Sequence, residues 1–485
     1  MNMINISQES AFERGNRLAT AGQHQEAIAA FDACLQENAQ DWQALSNRGN
    51  ARFQLKQYPQ ALQDYMQAAT LQPTSANIKC NLAALLKELG EMQLAESLLR
   101  EALQHEPGHV DAWSNLGVLL QYRLQYADSI HCHLQALELG GPSFGRLNNL
   151  GNAYTCALQL DKAEASYRQA LQISPQNGCL AFNLAIVLFL LGRYAEAWPL
   201  YEGRWQTMMQ PRYLDKPWQG QELGSQHLLI WAEQGLGDTL QLVRLLPILQ
   251  TRYPQARLTL ACQSSLLRLF RQFDGIQVID LESAAPEHDW QIPQMSLPLY
   301  MGLTLSNLSD KPYLAADPAL AEVLRPALPA ESDKRLRIGV VWETGKWGVG
   351  IADHGRQNKS VPPEQFLPLL ETPDIDFVSL QLGDIPAVLQ DKLCRVDIND
   401  FADTAAIVSQ LDLVISVDTS VVHLVGALGK PVWVLMRAES APFFMASGES
   451  SPWYASMYIW RQETAGDWPP LIEHVAKTLR NLREQ

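Results

Sequence analysis

The chain has 485 residues, too many for one core, with 47% hydrophobic and 18% charged residues and a formal net charge of -15. That charge excludes a sequence-independent grip on nucleic acid, which needs a basic face to displace counterions. The 7 cysteines (34, 80, 132, 156, 179, 262 and 394) are scattered without a CxxC pair, and the start MNMINISQES has neither basic nor apolar leader regions. Reduced thiols, a cytoplasmic location and no transmembrane segment are the expectations.

In chain order the first signal is an internal period. Ala27 and Ala61, Gly15 and Gly49, Phe31 and Tyr65, and Cys34 and Ala68 each stand 34 residues apart. The register continues through Leu99, Pro107, Leu116, Gly117, Ala136, Gly151, Ala163, Tyr167 and Ala197, giving six units that start near 8, 42, 76, 110, 144 and 178. Small residues at the eighth and twentieth positions suit two helices crossing closely, and the aromatic at the twenty-fourth is expected to fill the space toward the next hairpin. A period of 34 with these types resembles the tetratricopeptide repeat (TPR), an all-α solenoid whose units bury their apolar stripes only by stacking. Asn47, Asn81, Asn115, Asn149 and Asn183 recur at the same spacing. A column of amides can hold an extended peptide backbone without reading its side chains, or can tie the solenoid to itself.

After Trp205, Pro211, Pro217 and Gly220 read as a linker. The apolar run from Leu228 to Ala232 predicts a buried strand, and the turn Gly235-Leu236-Gly237-Asp238 opens a helix, the start of a Rossmann-like unit. A strand at 258–261, a helix at 265–272 and a strand near 277–279 complete it. A second unit begins with the strand at Arg337, followed by a Gly-rich loop at 343–360 and a helix at 363–370. Strands at 377–381, 413–417 and 431–436 and helices at 401–410 and 420–428 follow. Short Val/Ile/Leu-rich strands separated by helices predict parallel sheets, with a ligand at the carboxyl ends of the strands. The boundaries are 1–207, 208–325 and 326–485.

Glu233-Gln-Gly-Leu-Gly-Asp-Thr-Leu-Gln241 with Arg244, Ser379-Leu-Gln381, Asp400-Phe-Ala-Asp-Thr404, the stretch SVDTSVVHLVGALGKPVWVL from Ser416, Ser451-Pro-Trp-Tyr454, Arg461-Gln462 and Gly466-Asp-Trp468 occur in this order. Together they resemble the bacterial TPR glycosyltransferases related to the lipopolysaccharide heptosyltransferases (glycosyltransferase family 9-like). The resemblance implies a TPR solenoid followed by two facing Rossmann-like units, the GT-B architecture, an acceptor-side unit and a nucleotide-sugar-binding unit, with no metal and no cofactor beyond the nucleotide-sugar substrate. It implies a sugar transferred to an acceptor, here a protein or peptide held by the TPR groove. Asp238 is the catalytic base expected by this resemblance, with Gly235 and Gly237 in a phosphate-near turn.

The free amides of Ser420, Val421 and Val422, after Asp418 and Thr419, are expected to clamp the donor diphosphate. Lys359 adds a positive charge, Gln381 a ribose or phosphate contact, and His423 faces the cleft one turn after Thr419. The helix dipole is expected to lower the Asp238 pKa. Asp374-Ile-Asp376 reads as solvated rather than as a metal-binding DxD. The sequence departs from the family pattern in the long 343–360 loop, where Asp353 and His354 are displaced, and in Ala441–Ala446, which replaces a Trp-rich segment. These departures leave two alternatives: a TPR adaptor with a non-catalytic transferase module, or a transferase that builds cell-surface glycan. Oligomeric state is not read from the sequence.

Overall fold

The computed structural model describes residues 9–207, 209–332, 334–345 and 357–483 and divides into two compact units, one reaching to Ala157 and one from Leu158 on. In the first unit the helices are α1 (Ala11–Thr20), α2 (His24–Glu37), α3 (Trp42–Gln54), α4 (Tyr58–Leu71), α5 (Ala76–Glu88), α6 (Met92–His105), α7 (Val110–Tyr122), α8 (Tyr126–Gly140) and α9 (Phe144–Cys156). They pack as successive hairpins, with α9 against α7 and α8.

Side-chain caps open most of the hairpins. Ser10 Oγ accepts the Glu13 amide at 3.1 Å while the Glu13 carboxylate accepts the Ser10 amide at 2.9 Å, a reciprocal cap. Asp41 Oδ1 accepts the amides of Gln43 and Ala44, both at 3.0 Å.

The period's small residues have a steric cause. A Cβ on Gly15 would lie 2.5 Å from the Phe31 ring, one on Gly49 2.7 Å from Tyr65, and one on Gly117 2.6 Å from His133. The large residue at the twenty-fourth position therefore seats on the glycine of its own hairpin and also packs toward the next one as expected, Phe31 clustering with Ala44 and Ala51 and Tyr65 with Leu85. Within each unit the first helix ends in a turn whose linking residue has positive φ: Gly22, Lys56, Gly90, Leu124, Leu158 and Gly192, again 34 apart.

The second unit begins with α10 (Leu160–Ile173), α11 (Gly178–Leu190) and α12 (Tyr194–Tyr201). The α11 sequence, GCLAFNLAIVLFL, is almost wholly apolar, so it is covered on more than one face. Phe189 lies 5.3 Å from Tyr194 and 5.0 Å from Phe443, between rings, and Ala446 donates its amide to the Leu190 carbonyl at 3.1 Å.

Two parallel sheets follow. The first contains β1 (His227–Trp231), β2 (Arg257–Cys262), β3 (Ile276–Asp280) and β4 (Trp290–Pro293) in the order β3-β2-β1-β4. The helices of this region are α13 (Leu236–Leu242), α14 (Leu245–Arg252), the single turn α15 (Leu267–Phe270), α16 (Leu297–Met301) and α17 (Pro318–Leu324). The helix expected at 265–272 is thus a 3-10 turn, Ser264–Leu266, running into one α turn.

The second sheet contains β5 (Leu336–Val341), β6 (Ile375–Ser379), β7 (Cys394–Arg395), β8 (Leu413–Val417), β9 (Val432–Met436) and β10 (Met457–Arg461), in the order β10-β9-β8-β5-β6-β7. Its helices are α18 (Pro363–Leu370), α19 (Ala387–Gln390), α20 (Phe401–Val408), α21 (Ser420–Ala427) and α22 (Pro469–Arg483). All strand pairs in both sheets are parallel. The core of the second sheet includes Ile338, Val340, Trp342, Ile415 and Val417, closed by Trp468, Ile472 and Val475.

Strand order fixes where a crevice opens. In the first sheet the chain proceeds outward from β1 to β3 and returns beside β1 as β4. In the second it proceeds outward from β5 to β7 and returns beside β5 as β8. A crevice therefore opens at the carboxyl ends of β1 and β4, and another at those of β5 and β8, where adjacent loops leave in opposite directions. Helices α13 and α21, which follow β1 and β8, pack against each other.

Candidate functional site

A cleft of about 820 Å³ occupies this position in the second unit, a size suited to a ligand that is largely enclosed. Its polar side is formed by Asp238, Lys359, Asp418, Thr419, Ser420 and His423, and its apolar side by Phe182, Ile186, Tyr201, Pro442, Phe443 and Phe444. The almost wholly apolar α11 is the sequence signal for the Phe182/Ile186 wall, which sequence reasoning missed, as it did Tyr201 of α12.

The turn after β1 is held from below. Arg204, fully buried, makes two parallel bonds to Glu233, at 3.0 and 2.9 Å, and donates to Ser296 Oγ at 2.7 Å and Glu202 at 2.6 Å. Glu233 Oε1 also accepts the Met295 amide at 3.0 Å. Burial raises the Glu233 carboxyl above its ordinary range despite its arginine partner. A paired buried carboxylate of this kind anchors a loop. The next residue, Gln234, donates to Tyr201 Oη at 2.6 Å, tying the turn to α12.

Gly235 then caps α13, and Asp238 Oδ2 accepts the Gly235 amide at 3.0 Å. The expectation that the helix end lowers the Asp238 pKa is corrected. Burial, helped by the Asp418 charge, raises it to about 6 against the opposing Gly235 amide and Lys359 charge. Desolvation in the cleft outweighs the hydrogen bonds from the amides of Gly235 and of Asp238 itself. Gly237 lies where the two helices meet: a Cβ there would stand 2.9 Å from His423 Cδ2 and 3.5 Å from Ser420 Cα.

Across the cleft, Thr419 caps α21. Its Oγ1 accepts the Val421 amide at 3.3 Å and its carbonyl accepts the Val422 amide at 3.2 Å. The reading of Val421 and Val422 as free phosphate donors is therefore corrected: Thr419 occupies both amides, and both side chains are buried in the core. Ser420 and His423 do line the cleft. Lys359 Nζ bonds Asp418 Oδ2 at 2.8 Å. Burial works to raise the Asp418 carboxyl, but the Lys359 charge and hydrogen bond outweigh it and hold the group below its ordinary value. Burial pushes the His423 imidazole down to about 4, so it is neutral near pH 7.

Gln381 does not line this cleft. Its Oε1 accepts the Glu343 amide at 3.1 Å, and it lines a neighbouring cavity of about 280 Å³ with Ser379, Arg395 and Asn399. In that cavity the buried Ser379 Oγ has no hydrogen-bond partner among the described residues. A further cavity of about 440 Å³ lies beside β10, lined by Trp460, Arg461, Glu463, Asp467 and His474; it holds Arg461 and Asp467 of the family-like blocks but no expected catalytic or donor-binding residue. Asp376 is paired with Arg335 at 2.7 Å, outside the cleft. Asp353 and His354 lie outside the described residues.

The asparagine column is turned inward where its bonds are seen. Asn47 donates to Asn16 Oδ1 at 2.8 Å and Asn81 to Ser46 Oγ at 3.3 Å. Each of these reaches the preceding unit, so the solenoid itself uses part of the amide capacity expected to serve a peptide. Asn149 and Asn183 are half-buried.

Comparison with known proteins agrees with the repeat reading. A TPR family model, described as TPR repeat, matches residues 49–90, and a second, described as Tetratricopeptide repeat, matches residues 159–203. The chain is similar to Protein FlbA of Caulobacter vibrioides, 28% identical over 500 residues, which is 95% of this chain and 82% of that protein. It is also similar to human Protein O-mannosyl-transferase TMTC1, 26% identical over 174 residues, 35% of this chain but only 20% of that protein. Among solved structures, TTC0263, a thermophilic TPR protein in Thermus thermophilus, shares 22% identity, with 37% of this chain and 97% of that chain covered and a TM-score of 0.34. PilW, a type IV pilus biogenesis factor, shares 16%, with 42% and 94% covered and a TM-score of 0.38. The chain thus carries tetratricopeptide repeats, a module of protein–protein interaction, followed by an α/β region of two parallel sheets. No helix among the described residues is long and apolar enough to cross a membrane.

Proposed function

We propose that this chain is a metal-independent glycosyltransferase of the GT-B architecture. It moves a sugar from a nucleotide-sugar donor to a hydroxyl of a protein or peptide engaged by the repeats. The observation that carries the reading is the pairing of Asp238, with its pKa near 6, with the Lys359, Asp418 and Ser420 side of the same cleft. A carboxylate poised near the operating pH is a competent general base, and a cation beside a helix N-terminus suits a leaving diphosphate.

In the proposed step Asp238 takes the proton of the acceptor hydroxyl as its oxygen attacks the anomeric carbon. The bond from that carbon to the diphosphate oxygen breaks, and the nucleoside diphosphate leaves carrying the electron pair toward Ser420 and Lys359. The smaller cavity with Gln381, Ser379, Arg395 and Asn399 takes the nucleoside. The aromatic wall of Phe182, Phe443 and Phe444 keeps water from the anomeric carbon. The mannosyl-transferase named among the similar proteins is in keeping with sugar transfer, though its 174 matched residues are a length that a repeat array fills alone.

Incubating the full chain with a panel of nucleotide-sugars and candidate acceptor proteins, with intact-mass readout, tests the proposal. Expected is an acceptor mass gain of one sugar, lost in Asp238→Asn. Neither transfer nor thermal stabilisation by any nucleoside diphosphate would leave a repeat adaptor as the better account.

A further inference from the structure

Tyr454, from the Ser451-Pro-Trp-Tyr454 segment, is buried in the second unit and has no place in the mechanism above. Its hydroxyl stands 3.2 Å from His423 Nδ1 and 3.4 Å from Tyr313 Oη. Which way its proton points decides whether the other ring nitrogen of His423, Nε2, carries a hydrogen, and the surrounding bonds determine it.

Tyr313 Oη donates to the Leu240 carbonyl at 2.8 Å, and since a carbonyl only accepts, the Tyr313 hydrogen is spent there. The Tyr313 oxygen already accepts from Arg244 Nη2 at 3.2 Å. Arg244 is itself fixed by the carbonyls of Ser309 at 2.8 Å and Trp453 at 3.0 Å, and it lies over the Tyr454 ring at 4.8 Å. The Tyr454 hydrogen is left with a closer and more basic acceptor, His423 Nδ1. An imidazole that accepts at Nδ1 carries its own hydrogen at Nε2. Gly426 leaves the space for the Tyr454 ring against α21, because any Cβ there would collide with it.

We propose that Tyr454 is a positioning residue: by donating to His423 Nδ1 it holds His423 as the Nε2–H tautomer, a neutral hydrogen-bond donor presented to a donor-substrate oxygen in the cleft. The role of that donor rests on the nucleotide-sugar reading; the tautomer does not. Burial of the imidazole, which keeps it uncharged near pH 7, is consistent with this arrangement.

The test uses the full chain labelled with 15N-histidine, with His423→Gln to assign the resonances. Expected is a neutral His423 protonated at Nε2, whose bare Nδ1 moves toward the shift of an unbonded nitrogen in Tyr454→Phe. A proton on Nδ1, or an unmoved Nδ1 in a variant that retains its thermal unfolding profile, overturns the proposal. A second arm measures binding of UDP, GDP, CDP and ADP. Tyr454→Phe weakens the nucleotide that binds roughly tenfold, the loss of about one oriented hydrogen bond. In the His423→Gln background, where the glutamine amide replaces Nε2–H, the same change costs less than about twofold. Equal losses in both backgrounds show that Tyr454 does not act through His423 and overturn the proposal. If no nucleotide binds the wild-type chain, the transferase reading fails while the spectra still decide the tautomer.

Discussion

A Cβ placed on Gly237 would stand 2.9 Å from the His423 ring, so the two helices that begin the cleft meet at a point where only a hydrogen atom fits. Gly237→Ala is expected to push α13 from α21, costing about 1–3 kcal/mol as an overpacked contact. Nucleotide affinity should fall in parallel. Thermal denaturation and titration calorimetry on the variant check both; unchanged values would mean the helices separate freely.

Asp238 carries the pH dependence. As a base it must be ionised, so turnover is expected to fall as pH drops through about 6, and Asp238→Asn to lower kcat by about 10²–10⁴. For stability the sign is opposite. A carboxyl raised in the folded state binds its proton more tightly there than in the unfolded chain, so its contribution favours folding at low pH and is lost as pH rises from about 4 through about 6. Asp238→Asn should remove this component, flattening Tm against pH in that window and raising Tm above it.

Breaking the Arg204–Glu233 pair leaves one buried charge uncompensated. Arg204→Met is expected to destabilise the second unit by about 3–5 kcal/mol. Arg204→Met with Glu233→Gln should recover part of that loss, a coupling read from chemical denaturation of the two single variants and the double.

Lys56 occupies, at φ 58, the turn position that glycine fills at Gly22, Gly90 and Gly192, and its side chain is exposed. A left-handed backbone costs a non-glycine residue roughly 1–2 kcal/mol, part of which is offset by the greater freedom of glycine in the unfolded chain. Lys56→Gly should stabilise the first unit by about 0.5–1 kcal/mol, measurable as a higher urea midpoint at unchanged slope.

Lys359 is ion-paired with Asp418 across the cleft floor. Lys359→Met is expected to weaken nucleoside diphosphate binding about 10–100-fold and to reduce its dependence on salt. Binding isotherms at two salt concentrations decide it.

The helical array was open to sequence reading because its reasons are local and repeated: Gly15 under Phe31 and Gly49 under Tyr65 are the same contact written every 34 residues. The parallel sheets were legible for a similar reason, since β1 and β8 are short, fully buried and mostly apolar. β4, β7 and β10 were not, being short or carrying polar residues such as Gln291, which a neighbour satisfies when its side-chain oxygen accepts the Trp231 indole N–H at 2.7 Å.

The residues of the cleft were named from chain order, yet their chemistry depended on what surrounds them. Helix position alone predicts a lowered Asp238 pKa, and it is raised, because desolvation by the walls exceeds the hydrogen bonds from the Gly235 and Asp238 amides. Val421 and Val422 were assigned free amides that Thr419 occupies. Gln381 went to a separate cavity, and Phe182, Ile186 and Tyr201 came in from helices of the repeat region. Amino-acid order alone determined the repeat period, the helix caps and the buried strands, which rest on neighbours a few residues apart. Only the tertiary structure decided the burial, partners and protonation of the cleft, because those are sums over groups brought together from distant parts of the chain.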